Sequence, residues 1–319
     1  MNDEPTAQQG AQEDTELDAE LDAELDAELD AELDALRSGE ACLLERRDLI
    51  VAAGPDTTPF LQGQLAQNIE TLADGAVAWS LLLQPTGRLI AFVRLRRVDS
   101  DTVQIDVEAG VGRAVQAALS RFLIRTKCAL TLTESVSSYW CATTAGLPAD
   151  AIAMAASPWP GVVSIHPSGN HDGAPEPHQS ILPLVSADAA ERWRVLCGIP
   201  RHGAELTEST IPSETGLLSV AVAFGKGCYT GQELVERIDS RGRVVRALMQ
   251  LRSPKPLQSA AAITDAAGSD RGIITSGVRL PDGGWAAIGL VRKGDGSPLV
   301  VGGATVTVQE LLPVDIDTP

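Results

Sequence analysis

No run of about 18 apolar residues occurs in the 319-residue chain, so no membrane span is expected. The N-terminus lacks the basic start and apolar segment of a secretory signal, which makes the cytoplasm the expected location. The five cysteines, Cys42, Cys128, Cys141, Cys197 and Cys228, are odd in number, and no pair is spaced C-x-x-C. That argues against a disulfide framework and against a four-cysteine zinc or iron–sulfur nest, and no metal site is expected. Any iron–sulfur role must then be indirect, or use a cluster held jointly with a partner. Basic residues are scarce, 25 against 43 acidic, for a net charge of −18. Residues 1–40 alone hold 15 of the acidic residues and one basic residue, so the remainder is nearly balanced. It has no broad basic field for duplex nucleic acid.

Residues 16–35 repeat the tetrad Glu-Leu-Asp-Ala five times. A period of four lies close to the helical turn, so Leu17, Leu21, Leu25, Leu29 and Leu33 form a slowly drifting stripe. Every i,i+4 acidic pair is like-charged and unrelieved by Lys or Arg, which opposes a helix at neutral pH. Residues 1–39 are therefore expected to be a solvated acidic tail, disordered or partly helical, with a partner-binding helix as the alternative.

The folded part begins near Cys42. Gln84-Pro85-Thr86-Gly87 is a turn between the apolar runs 76–83 and 89–98, which predicts a hairpin. A strand is expected over 102–107, and short strands over 129–133 and 139–143. Val111, Val115, Ala118, Leu119, Phe122 and Leu123 have helical spacing, predicting a helix over 112–125. Residues 157–180 are rich in Pro, Gly, Ser and His and predict a surface loop. His166, His171 and His178 lie there in a spacing that matches no familiar metal site. Ser186 can cap a helix over 187–197, which Gly198 and Pro200 terminate. From Val244 onward, short apolar runs separated by turns predict a small β-barrel. The expected fold is α+β: an acidic segment over 1–39, a body over 40–243 and a barrel over 244–319.

The most informative string is Lys226-Gly227-Cys228-Tyr229-Thr230-Gly231-Gln232-Glu233. Thr230 to Glu233 fits a capping box, and Leu234, Val235 and Ile238 follow, so a helix is expected to start there. Cys228 then lies just ahead of a helix N-terminus with Lys226 two residues away, an arrangement that favours thiolate. The alternative is a buried, inert cysteine. Gly227 and Gly231 let backbone approach a ligand. No Gly-Lys-Ser/Thr follows, so this is not a Walker loop.

That string is similar to the signature of YgfZ-type folate-binding proteins. Further pieces match in order: Gln84-Pro85-Thr86-Gly87-Arg88, Trp193-Arg194 through Gly198-Ile199-Pro200, Ile211-Pro212-Ser213-Glu214 and Ile274-Thr275-Ser276-Gly277. The wider superfamily includes the glycine-cleavage T-protein, whose catalytic aspartate falls roughly where this chain reads Gly87-Arg88-Leu89-Ile90-Ala91-Phe92. No carboxylate stands there, which argues against aminomethyl transfer. The segment Gly198 to Glu205 resembles the T-protein stretch whose glutamate holds the pterin. A carboxylate accepts from the pterin's ring N–H and 2-amino group together, so the resemblance gives Glu205 that role, with an exposed loop glutamate as the alternative.

The resemblance further implies folate contacts at Gln232 and Glu233, and since folates carry a glutamate tail, Arg88, Lys226, Arg237 or Arg241 could supply a cationic rim, with a plain surface cation as the alternative for each. It makes Cys228 the reactive or partner-facing thiol, assisted by Lys226. The implied cofactor is tetrahydrofolate or a one-carbon derivative. The implied partners are iron–sulfur apo-proteins or assembly factors, including those of tRNA-modifying enzymes, and a monomer is expected. The other possible functions are a folate-dependent one-carbon transferase or demethylase, and a non-catalytic structural module.

Overall fold

A computed structural model describes residues 24–142, 152–155, 162–166, 182–241, 244–294 and 296–311. Helix α1 (24–38) leads into β1 (Cys42–Ala53), α2 (Thr57–Gln62), the hairpin β2 (Val77–Leu83) and β3 (Leu89–Arg97), then β4 (Thr102–Glu108). Helix α3 (Gly112–Ser120) precedes β5 (Ala129–Cys141), β6 (Ile152–Ala155) and β7 (Val162–His166). These strands form one sheet in the order β2-β3-β4-β1-β5-β7-β6. Helices α4 (Ala187–Leu196), α5 (Leu218–Ala221) and α6 (Gln232–Arg241) follow. Strands β8 (Arg246–Ser253), β9 (Ala262–Asp265), β10 (Asp270–Arg279), β11 (Trp285–Arg292), β12 (Leu299–Val301) and β13 (Ala304–Glu310) close a six-stranded barrel. The expected α+β body followed by a β-barrel is what the chain forms.

Alternation along β2 shows how the sheet is used. Leu81 and Leu83 join a core with α1, α4 and α6, whereas Leu82 joins the opposite core with α2 and α3. Both faces are covered, which is why these strands read as continuous apolar runs. The predicted hairpin is present, and Gly87 sits at φ +82° in its turn. Helix α4 is capped as predicted: Ser186 Oγ accepts from Ala189 N at 3.2 Å, and Gly198 follows its end at φ +64°.

Five expectations differ from the structure. The two short strands near 129–143 are one strand, β5, carried past an irregularity where Ser135 takes φ 58°. Helix α3 stops at Ser120, and a turn occupies the rest of its predicted span. The presumed loop 157–180 contains β7, which pairs with both β5 and β6. His166 ends that strand, and His171 and His178 lie outside the described residues. Cys42 and Cys141, in register on β1 and β5, form a disulfide across 99 residues of sequence. Strand pairing, rather than local spacing, brings those two thiols together.

The largest difference is α1. Leu29, Leu33 and Leu36 are buried, and Leu33 and Leu36 join the core with Trp193, Cys197 and Trp140. The acidic repulsion that opposes an isolated helix is relieved from elsewhere in the chain. Asp26 reaches Arg192 at 3.2 Å and Arg279 at 3.3 Å, and Asp30 lies 3.6 Å from Arg192. Glu32 accepts from Ser186 N and Oγ, which ties α1 to the start of α4. Glu40 N and Ala41 N both donate to Ala35 O, and Gly39 at φ +80° ends the helix. At least 24–38 is therefore part of the body and not a solvated tail.

Candidate functional site

The signature string folds as a pedestal on the β2–β3 turn. Lys226 Nζ donates to three backbone carbonyls, Gln62 at 2.8 Å, Leu65 at 2.6 Å and Gln67 at 2.8 Å, so its donors are used up. It also sits 5.1 Å from the centre of the Tyr229 ring. Burial pulls the amine down to about 8, against a smaller opposing pull from Glu70. The three carbonyls favour the ammonium form in addition. Lys226 thus fastens the loop to the segment after α2.

Tyr229 is buried, and its backbone N–H donates to Gln232 Oε1 at 3.0 Å. Thr230 N donates to Gly63 O, and its hydroxyl donates to Gln64 Oε1 at 3.1 Å. The helix begins where expected, but by a different cap. The threonine hydroxyl is spent on Gln64, Gln232 reaches back to Tyr229, and Glu233 pairs with Arg237. Gly231 stands at φ +80°, where a Cβ would lie 2.5 Å from Gln84 O. A Cβ on Gly87 would lie 2.4 Å from Leu234 Cβ. Two elements matched separately in the sequence, the Gly-Arg turn and the signature, are therefore pressed together through two glycines. Cys228 is left at the surface as the exposed member of the free thiols. Cys128 is half-buried, and Cys197 is buried, its thiol pushed up to about 12 chiefly by burial.

The other candidates lie elsewhere. Arg88, an exposed side chain, donates to Ser209 O at 2.8 Å. Arg241 closes α6, and its side chain lies outside the described residues. Glu205 is enclosed completely, its side chain showing 0% exposure. Its Oε2 accepts from Arg194 Nη1 at 3.1 Å and Arg201 N at 2.9 Å, and its Oε1 from Ser276 Oγ at 2.7 Å. Arg194 also pairs through Nη2 with Glu191 at 2.7 Å and donates to Ser276 Oγ. The two arms of this network come from the body and from barrel strand β10. Glu205 therefore links body to barrel, beside Gln250 Nε2, which donates to Val195 O and Leu196 O. In the sequence Arg194 and Ser276 belong to the G-I-P and T-S-G pieces, and pairing across 82 residues leaves no local signal.

The segment where the T-protein resemblance would place a carboxylate is apolar and packed. Ala91 is fully buried and Phe92 stacks on Trp79, ring centres 4.5 Å apart. His202 Nε2 accepts from Phe92 N at 3.2 Å, and His202 N donates to the Glu108 carboxylate. Burial first, and the Arg47 charge second, hold His202 neutral down to about 4. The neighbouring acid on β4, Asp106, is occupied by Arg47 and Arg94. A cleft of about 300 Å³ between body and barrel is lined by Ser213, Gly216, Met249 and Lys293, and takes in neither Glu205 nor the signature.

No protein-family model matches the chain. It is 26% identical over 245 residues to the mitochondrial iron–sulfur cluster assembly factor IBA57 homolog of Neurospora crassa, covering 67% of this chain and 53% of that one. It is 28% identical over 229 residues to the tRNA-modifying protein YgfZ of Pectobacterium atrosepticum, covering 64% and 67%. The match spans about half the length of the fungal relatives. Among solved structures, the aminomethyltransferase T of the Bartonella henselae glycine cleavage system superposes with a TM-score of 0.76 at 21% identity, over 90% of this chain and 89% of that one. At that identity the likeness establishes the fold.

Proposed function

With YgfZ and IBA57 proteins as its relatives, we propose that this chain supports the assembly or repair of iron–sulfur enzymes, tRNA-modifying ones among them. Its working thiol is Cys228, and its body binds tetrahydrofolate without transferring an aminomethyl group. One observation carries this proposal. In the signature loop Lys226, Tyr229, Thr230 and Gln232 are each engaged in anchoring, and Cys228 is exposed on the platform they build. A loop held this firmly around a solvent-facing thiol suits an encounter with a partner better than it suits packing. The absence of a carboxylate from the packed stretch at Ala91 and Phe92 supports binding over one-carbon transfer.

The folate half is tested by calorimetry with tetrahydrofolate. Saturable heat with one site per chain is expected, and no heat would reduce the fold to a scaffold. The thiol half is tested in cells with Cys228→Ser. The action is proposed for the cytoplasm. No helix among the described residues is long and apolar enough to cross a membrane.

A further inference from the structure

The turn that ends α3 early has an unusual surface. Arg121, Phe122, Ile124, Arg125 and Lys127 are all exposed, Phe122 at 43% and Ile124 at 80%. Leu123 alone points inward, against the α2–α3 core. The turn is fastened at its base: Lys127 N donates to Asp56 Oδ2 at 2.7 Å, Thr126 N to Leu123 O, and Phe122 N to Leu119 O. Arg125 holds the left-handed conformation at φ 61°.

Most arginines of this acidic chain are in ion pairs, yet none of these three cations takes a side-chain hydrogen bond or ion pair among the described residues. The carboxylate of Glu134 is taken by Arg113, and that of Asp56 by the Lys127 backbone. Two large apolar side chains ringed by three uncompensated cations form a surface complementary to an acidic, leucine-bearing segment.

The chain carries such a segment. Residues 1–23 hold eight acidic residues and no basic one, and include two further tetrads with Leu17 and Leu21. The chemistry is already displayed by α1, where the same tetrads seat leucines on apolar surface and carboxylates on Arg192 and Arg279. Extended from Glu24 at about 3.3 Å per residue, Leu17 reaches up to about 23 Å and Asp3 up to about 70 Å, against a radius of gyration near 19 Å for a body of roughly 300 residues. We propose that residues 1–23 dock in cis on the Arg121–Lys127 turn, pairing their carboxylates with its cations and covering Phe122 and Ile124.

Zero-length carbodiimide coupling of the full chain, mapped by mass spectrometry, tests this. The coupling joins carboxylates to lysine amines in contact, and Lys255 and Lys293, also exposed, serve as internal references. At low salt, Lys127 is expected to link to acids of residues 1–23 several-fold more often than either reference. The excess should vanish at about 1 M salt, where the Debye length is about 3 Å. Arg121→Ser with Arg125→Asn, the asparagine tolerating the left-handed conformation, should remove most of it, as should Phe122→Ser with Ile124→Ser. Equal linking at Lys127, Lys255 and Lys293 overturns the proposal. Links formed only between molecules overturn it as well, since they assign the turn to a second copy. The readout involves neither folate nor iron–sulfur enzymes, so it stands or falls separately from the proposed function.

Discussion

Replacing Glu205 by glutamine separates a latch from a ligand. The carboxylate accepts three hydrogen bonds from its own chain: Arg194 and Arg201 N on one oxygen, Ser276 on the other. An amide NH₂ in the first position would face two donors. The less costly orientation turns the NH₂ toward Ser276, whose hydroxyl can rotate to accept. Arg194 then loses a charged partner but keeps Glu191, so the full cost of about 3–5 kcal/mol for stripping a buried ion is not reached. Converting charge-assisted bonds to neutral ones leaves a loss of about 1.5–3 kcal/mol. At about 2–4 °C per kcal/mol that is a fall in Tm of roughly 3–12 °C, read by scanning calorimetry with and without tetrahydrofolate. Glu205→Ala should fall further, since Arg201 N and Ser276 lose their acceptor outright. A glutamine variant that melts with the parent and yet binds tetrahydrofolate tenfold or more weakly would refute the latch and return Glu205 to the pterin.

Three further outcomes follow from the same geometry. Leu36→Ala should cost about 2–5 kcal/mol by chemical denaturation, because Leu36 is fully buried, whereas Leu25→Ala, at a half-exposed position of the same helix, should stay within about 0.5 kcal/mol. Iodoacetamide mapping at neutral pH should label Cys228 first, Cys128 more slowly and Cys197 last, with Cys42 and Cys141 protected until reduction; labelling of Cys197 ahead of Cys228 would contradict the burial order. His202 is neutral when folded down to about 4 but ordinarily protonates near 6.5, so between those values the unfolded chain holds the extra proton. Its share of stability is present above about 6.5 and lost as pH falls toward 4, about 1–2 kcal/mol after discounting for its partial exposure. Burial raises Glu108, which works in the opposite sense, so the readout is the parent minus His202→Gln in urea melts across that range.

Much of this architecture was legible in the sequence, for local reasons. The hairpin at Gln84–Gly87, the Ser186 cap with its Gly198 stop, and the change to short strands after Val244 are all written within a few residues of where they act. What escaped depends on contacts between distant residues. The tetrad segment reads as a solvated, at most partly helical tail because its counter-charges, Arg192 and Arg279, lie far along the chain. The disulfide escaped because only the pairing of β1 with β5 brings Cys42 to Cys141. The Thr230 capping box was a fair local inference, displaced by a competing acceptor, Gln64, supplied by another segment. Proximity in sequence suggests that Lys226 serves Cys228, whereas its ammonium is held by the carbonyls of Gln62, Leu65 and Gln67. The fold shows which residues of the matched motif are anchors: Lys226, Tyr229, Thr230 and Gln232.

The central claim, that Cys228 is what the signature platform presents, is tested most directly in a bacterial strain lacking its own YgfZ protein. The quantity to measure is the tRNA modification made by an iron–sulfur enzyme, in cells expressing this chain or its Cys228→Ser variant. Equal protein levels and equal Tm are expected for the two, because the side chain is exposed and the change is small. The parent should restore the modification and the serine variant should not. Full restoration by a serine variant that is equally abundant and equally stable would contradict the account.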